Sequence, residues 1–305
     1  MIILLRGKLV DLPTNLSLRY FWCGGFMLSI FMVIQVLSGI ILSLFYGAEN
    51  NFTLVFMGFD ESILIWLVRY THIWCVNIVF VLLLIHIGRR LYYGRYRRLG
   101  VWNVGFVLYI MIMVEAFLAA TVLTSILLSV PFVGTNLYSY VVGGFGVTVG
   151  ETLLRVFPAH VILGIVILGV MIIHLFYLHK SGSSCPLFIR GGYRDCVYFH
   201  GYYTVKDLYV FIVISFFCIF LMIFIPNMVL DVEAFIKADP LVTPAIVFWC
   251  LFGLYIILSY LGGCHAEYPY ILISKICSVL MLFFVSLYKG CWFIPYWCDY
   301  RLFII

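Results

Sequence analysis

The sequence predicts an all-α polytopic transmembrane helix bundle of about seven spans, and three observations carry that expectation. Of 305 residues, 65% are hydrophobic and only 10% charged, where a soluble domain carries about 25% charged residues. Apolar runs recur that exceed the ~18 residues marking a bilayer span. The connections between those runs alternate between basic and acidic, as expected when basic loops stay on the cytoplasmic or matrix side.

Taken in order, the apolar segments are A (22–46), B (62–93), C (103–128), D (157–179), E (208–228), and two more at 245–261 and 270–288. The chain before A carries Arg6, Lys8 and Arg19; the B–C connection carries Arg89, Arg90, Arg95, Arg97 and Arg98; the D–E connection carries Lys180, Arg190, Arg194 and Lys206. Acidic residues fall on the alternate connections: Glu49, Asp60 and Glu61, then Glu151, then Asp231, Glu233 and Asp239. The amino terminus, B–C and D–E therefore belong on the inner side, and B and D run parallel from the outer side inward. Gly143, Gly144 and Gly146 break the C–D connection, and Pro226, Pro240 and Pro244 bracket the stretch after E. No linker or low-complexity tract divides residues 1–305, which read as a single membrane domain.

Other classes find little support. The net charge of +5 reports topology in a membrane chain, and no basic tract interleaved with aromatics marks a nucleic-acid surface. The ten cysteines include no Cys-x-x-Cys pair and sit mostly in apolar runs, so buried free thiols are expected rather than disulfides or a metal site. The apolar stretch after Met1 reaches only to Arg6, too short for a secretory signal, so no cleaved targeting segment is expected.

The chemistry lies in four histidines. His72 and His86 are 14 residues apart on B, and His160 and His174 are 14 apart on D. Fourteen residues are just under four turns, so each pair shares a face, its members ~21 Å apart along the axis. With B and D parallel, His72 faces His160 and His86 faces His174. The result is two bis-imidazole sites, one above the other, suited to axial ligation of heme iron. A lone membrane histidine often does no more than bond a neighbouring carbonyl, but intramembrane ionisable groups are costly and usually functional, and the repeated spacing is not expected by chance. The ~21 Å separation excludes a single four-ligand zinc or copper site. Gly25 and Gly39 repeat the 14-residue spacing on A, where small residues admit porphyrin edges close to the backbone or serve ordinary helix packing. Arg69 and Arg89, each three residues from a histidine, are candidates for heme propionates; Arg89 is equally placed to be an inner-side anchor.

Segments Arg69-Tyr-Thr-His72 and His86-Ile-Gly-Arg-Arg-Leu-Tyr-Tyr-Gly94 resemble helix B of cytochrome b from mitochondrial and bacterial cytochrome bc complexes. Similar in the same way are Leu9-Val-Asp-Leu-Pro-Thr14, Val130-Pro-Phe-Val-Gly-Thr-Asn136, His174-Leu-Phe-Tyr-Leu-His179, Phe199-His-Gly-Tyr-Tyr-Thr-Val-Lys-Asp207, Leu261-Gly-Gly and Glu267-Tyr-Pro-Tyr270. The equal spacing on B and D resembles the mitochondrial type; the chloroplast counterpart typically has one extra residue on D. The resemblance implies two b-type hemes within 1–207, followed by reduced C-terminal helices over 208–305. It also implies an inner quinone-reducing pocket, whose histidine, lysine and aspartate correspond to His179, Lys206 and Asp207, with Ser183 a nearby polar contact. Quinone reduction takes up protons, and these residue types can donate them. The expected assembly is a ubiquinol–cytochrome c reductase with an iron–sulfur protein and a cytochrome c1-type subunit, homodimeric, in the mitochondrial inner membrane or alternatively a bacterial plasma membrane.

The outer quinol-oxidising pocket departs from the family. Glu115-Ala-Phe-Leu-Ala-Ala-Thr121 runs past the place of the family's Pro-Trp-Gly, with about a dozen residues missing relative to the pattern the resemblance implies. After Asp239-Pro-Leu-Val-Thr-Pro244, the stretch Ala-Ile-Val-Phe-Trp249-Cys stands where Pro-Glu-Trp-Tyr is expected. Either Val247-Phe-Trp-Cys250 is a degenerate form of that motif, or Phe248-Trp249 opens the family's seventh helix and the sixth is absent. The second alignment needs no gap before Gly262-Gly263, yet losing one span would invert the rest of the chain. An irregular crossing by 229–244, sheltered inside the protein, would restore the orientation. Both alignments lose the glutamate, and Glu115, alone among apolar residues on C, is a candidate replacement base. A redox subunit, a heme-bearing assembly scaffold without outer-site turnover, and a diheme reductase with another donor are the readings these features leave.

Overall fold

The computed structural model describes residues 6–7, 10–45, 62–93, 95–117, 127–128, 131–143, 149–182 and 196–230. The expected helices at 245–261 and 270–288, the choice between the two C-terminal alignments, and Ser183 lie outside the described residues. Within them the order is β1 (Pro13–Asn15), α1 (Gly24–Ser43), α2 (Ile63–Tyr92), α3 (Leu99–Phe117), α4 (Gly134–Val142), α5 (Val149–Ser181), β2 (Cys196–Tyr198) and α6 (Phe199–Phe224). Five helices are long and apolar enough to cross a membrane: Tyr20–Ser43, Ile63–Tyr92, Leu99–Ala116, Glu151–Lys180 and Phe199–Phe224. They correspond to A through E, and the protein is a polytopic helix bundle.

Three helices begin earlier than their apolar runs. Helix α5 starts eight residues before the expected 157 and continues through Pro158. Glu151 in its first turn suits the positive end of the helix dipole, and buried Thr152 donates to the Val142 carbonyl at 3.2 Å, fastening α5 to α4. Helix α3 starts at Leu99, four residues early; residues 118–126 of segment C lie outside the described residues. Helix α6 starts at Phe199 rather than 208 and ends at Phe224, before Pro226 opens a 3-10 turn, since proline disfavours helix in the residue ahead of it. Its start bends at Gly201, whose φ of 95° lies in the left-handed region that glycine tolerates.

Helix α1 packs on α2 and α5, α3 packs on α5, and α6 lies against α1 and α2. The core between them is built from Met27, Phe31, Val79, Leu83, Tyr109 and Ile167. Outward, α6 exposes Phe216, Phe217, Phe220 and Phe224, an apolar surface suited to lipid rather than water.

Contacts gather three connections at one end of the bundle. β1 pairs antiparallel with β2, Pro13 opposite Tyr198 and Asn15 opposite Cys196, and Tyr203 donates to the Asn15 carbonyl. Arg89 donates to the Phe21 carbonyl at 2.7 Å, and Arg98 to the Gly182 carbonyl. The amino-terminal stretch, the B–C connection and the D–E connection thus share one end, the arrangement their basic residues predict for the inner side. At the opposite end, the Tyr70 hydroxyl donates to Asn227 Oδ1 at 2.8 Å and the Trp74 indole to the Pro226 carbonyl at 3.1 Å. Tyr70→Phe is expected to cost about 0.6–1.7 kcal/mol, the range of interhelical hydrogen bonds in membranes. Thermal unfolding in detergent checks this, and an unchanged midpoint would show that the bond contributes nothing.

Candidate heme sites in the bundle

Two cavities lie between the helices, each lined by one of the expected histidine pairs. The outer one, about 1050 Å³, is lined by His72 and His160 with Gly39, Arg69, Glu115 and Gly164. The inner one, about 110 Å³, is lined by His86 and His174 with Gly25, Arg90, Arg95 and Gly105. The helical register therefore brings together the residues that the 14-residue spacing pairs. Among the described residues, no three His, Cys, Asp or Glu side chains gather into a site for one metal ion.

The outer imidazoles are prepared as ligands. His72 Nδ1 lies 3.0 Å from the Gln35 carbonyl and 3.0 Å from Ser38 Oγ. A carbonyl only accepts, so Nδ1 carries the proton and Nε2 keeps its lone pair. The Gln35 side-chain amide donates to that Nε2 at 3.0 Å. Its own Oε1 is buried without a hydrogen-bond partner among the described residues, so the amide is held at one end only and can turn aside for a ligand. Across the cavity, His160 Nδ1 lies 3.1 Å from Glu115 Oε1, which leaves His160 Nε2 as its acceptor nitrogen. In the inner pair, His174 meets the Val101 backbone carbonyl, and His86 Nδ1 is buried with no hydrogen-bond partner among the described residues. Buried polar atoms left in that state are uncommon and mark functional sites.

Glycines let neighbouring helices come close to the imidazoles. A Cβ built on Gly39 would stand 2.9 Å from His72 Cε1, and one on Gly25 would stand 3.5 Å from His86 Cε1. Gly105 on α3, not anticipated from the sequence, does the same for His174 at 3.0 Å. The 14-residue repeat that exposed Gly25 and Gly39 does not extend to Gly105, since residue 119 of the sequence is alanine.

Also unanticipated is an apolar layer between the cavities. Met32, Ile112 and Ile167 line both of them, and Val79, 2% exposed, belongs to the same buried cluster. Met32 is seven residues from Gly25 and Gly39, Val79 seven from His72 and His86, and Ile167 seven from His160 and His174. Seven residues are close to two turns, so each helix repeats one face as site, partition, site.

Donors, apolar lining and glycine clearance fit heme. The outer cavity reaches the upper end of the ~300–1,000 Å³ of small-ligand sites; the inner one falls below it, so its walls must part to admit a macrocycle. The cations divide unequally. Arg69 lines the outer cavity. Arg89 does not line the inner cavity: its guanidinium is turned onto the Phe21 carbonyl and lies 5.2 Å over the Trp22 ring. Arg90, one residue on, faces the inner cavity instead, because consecutive residues on a helix diverge by about 100°.

At the inner end, Lys206 and Asp207 meet the turn Tyr20–Cys23. The Lys206 ammonium lies 4.4, 5.3 and 5.8 Å from the rings of Tyr202, Tyr203 and Tyr20, a cation–π cage. Asp207 is buried and hydrogen-bonded to the Cys23 thiol. His179 stands half-buried in the last turn of α5.

The family model described as cytochrome b/b6/petB matches residues 9–182. A cytochrome b of Brachionus plicatilis is 36% identical over 308 aligned residues, covering 93% of this chain and 77% of that protein. A chain of the solved structure titled hyperthermophilic respiratory Complex III superposes with a TM-score of 0.69 at 21% identity, covering 94% of this chain and 95% of its own. That likeness shows the fold. The family match and the relative show more: this chain belongs to the cytochrome b family and is a heme-binding membrane protein.

Proposed function

We propose that this chain is the diheme cytochrome b subunit of a quinol–cytochrome c oxidoreductase of the respiratory complex III type, passing quinol electrons across the membrane to quinone with proton translocation. The observation that carries this reading is the presence of two histidine pairs at two levels of one bundle, each pair lining its own cavity. Bound there, heme supplies reversible one-electron chemistry at each level. His72 and His160 would hold the outer group and His86 and His174 the inner one, while Gly39 and Gly105 let neighbouring helices approach His72 and His174 closely. Arg69 on the outer side and Arg90 and Arg95 on the inner side supply positive charge for its carboxylates.

At the inner end, His179 and Asp207 are positioned as proton donors to a quinone, with Ser183 a polar contact. Lys206 is held by tyrosines beside Asp207 and resupplies protons. No cysteine cluster in the sequence suits an iron–sulfur centre, so an iron–sulfur protein and a cytochrome c1-type subunit complete the chain of carriers, in a homodimeric assembly of the mitochondrial inner membrane.

A second reading, a heme-binding assembly subunit without outer quinol oxidation, is favoured by one observation: the Pro-Glu-Trp-Tyr and Pro-Trp-Gly segments are missing. A reduced-minus-oxidised spectrum of the purified complex, with quinol as reductant, separates the two. Two b-type components reduced by quinol and blocked by outer-site inhibitors are expected. Two components that quinol reduces only through the inner pocket would favour the assembly subunit, and one component or none would overturn both.

A further inference from the structure

The four histidines differ in what holds the ring nitrogen facing away from the cavity. His72 Nδ1 meets a backbone carbonyl and a serine hydroxyl, His174 meets the Val101 backbone carbonyl, His160 meets the Glu115 backbone carbonyl, and His86 Nδ1 is buried with no hydrogen-bond partner among the described residues. His160 alone is paired with a carboxylate, Glu115 Oε1, at 3.1 Å. That carboxylate is built into the bundle: its side chain is 20% exposed, and its Oε2 is buried with no hydrogen-bond partner among the described residues. Gly164 lies beside it on α5, where a Cβ would stand 3.4 Å from Glu115 Oε1, an ordinary contact.

We propose that Glu115 is a positioning residue for His160, accepting its Nδ1–H and so strengthening Nε2 as the donor to iron at the outer site. The inference rests on the reading that His72 and His160 hold the outer heme. A carboxylate behind a metal-bound imidazole fixes the tautomer and ring orientation and raises ligand basicity. A stronger donor favours the oxidised metal, so Glu115 lowers the reduction potential of the outer site relative to the inner one. Electrons entering at the outer side then run downhill to the His86/His174 site. The bias is local, because no corresponding carboxylate backs the inner ligands among the described residues.

The test is a potentiometric titration of the purified complex, with the low-spin ferric signals followed by electron paramagnetic resonance, in the wild type, Glu115→Gln and Glu115→Ala. In Glu115→Ala, one component is expected to rise by at least the equivalent of a tenfold change in its equilibrium, about 59 mV for a one-electron couple, with its resonance shifted and the other component in place. Glu115→Gln keeps an oxygen acceptor for His160 Nδ1–H and is expected to shift the same component by less. If Glu115→Ala does not assemble, Glu115→Gln decides: a smaller rise confined to the outer component supports the proposal, and no rise overturns it. No shift in either variant, equal shifts in both components, or a shift confined to the inner one would overturn the proposal while leaving the diheme reading intact. A wild type with fewer than two components would remove that reading and this inference with it.

Discussion

Replacing His160 with alanine is expected to remove the outer b-type component, halve the heme content per chain and bring quinol-driven turnover to background. The substitution deletes one of the two imidazoles lining the outer cavity, leaving His72 without an opposite ligand. Losing even a partner behind a metal ligand typically costs 10–100-fold in metal affinity, and losing the ligand itself costs more. The inner component is expected to stay, because Met32, Val79, Ile112 and Ile167 form a buried layer between the cavities. His174→Ala is expected to give the converse, an outer component without an inner one. Heme-to-protein ratios and redox titration of the two variants check both halves. Persistence of both components in His160→Ala would show that His160 is not a ligand, and loss of both together would show that the two levels do not form independently.

Part of this site was legible before the fold was seen, and the reason is periodicity. A helix converts sequence spacing into facing direction, so His72, His86, His160 and His174 could be paired from their 14-residue intervals and the charge-derived parallelism of B and D. Gly25 and Gly39 were visible because they repeat that interval. Gly105 was not, since no glycine stands 14 residues from it and Gly100, on the same helix, is only five away. The partition of Met32, Val79, Ile112 and Ile167 was hidden for the opposite reason: in a chain this apolar, one more buried aliphatic gives no contrast. Arg89 and Arg90 are adjacent cations in one last turn, and only the fold shows which faces the cavity. Glu115 stood out as a lone acid on an apolar helix, but its partner on α5 is a tertiary fact.

Helix ends were the least legible feature, and membrane physics explains it. Hydropathy finds the stretch that lies in hydrocarbon, whereas backbone hydrogen bonding continues beyond it. Tyr202, Tyr203, Lys206 and Asp207 read as a connection by composition, yet they are helical. Their tyrosines and lysine are residues that favour the membrane interface. This extension matters for the inner end, because it holds Lys206 and Asp207 on a rigid helix facing Tyr20 and Cys23 rather than on a loop.

Gly39→Ala is expected to cost the outer site about 1–3 kcal/mol, the usual range for overpacking, and to lower outer heme occupancy, whereas Gly25→Ala is tolerated. The added Cβ at position 39 would stand 2.9 Å from His72 Cε1, inside contact distance, while the one at position 25 would stand 3.5 Å from His86 Cε1, an ordinary contact. His72 cannot yield easily, because Gln35 and Ser38 grip its Nδ1 at 3.0 Å. Intrinsic preference runs the other way: alanine favours a helix interior over glycine by roughly 0.8–1.0 kcal/mol. A loss at Gly39 therefore has to overcome a gain that Gly25→Ala keeps, which makes the contrast between the two variants more informative than either alone. Gly105→Ala, at 3.0 Å from His174 Cε1, should behave like Gly39→Ala but at the inner site. Heme occupancy of each component and the thermal midpoint of the complex read the series. Equal stability and full outer occupancy in Gly39→Ala and Gly25→Ala would mean that close approach of α1 to His72 is incidental packing, with no role in admitting the cofactor.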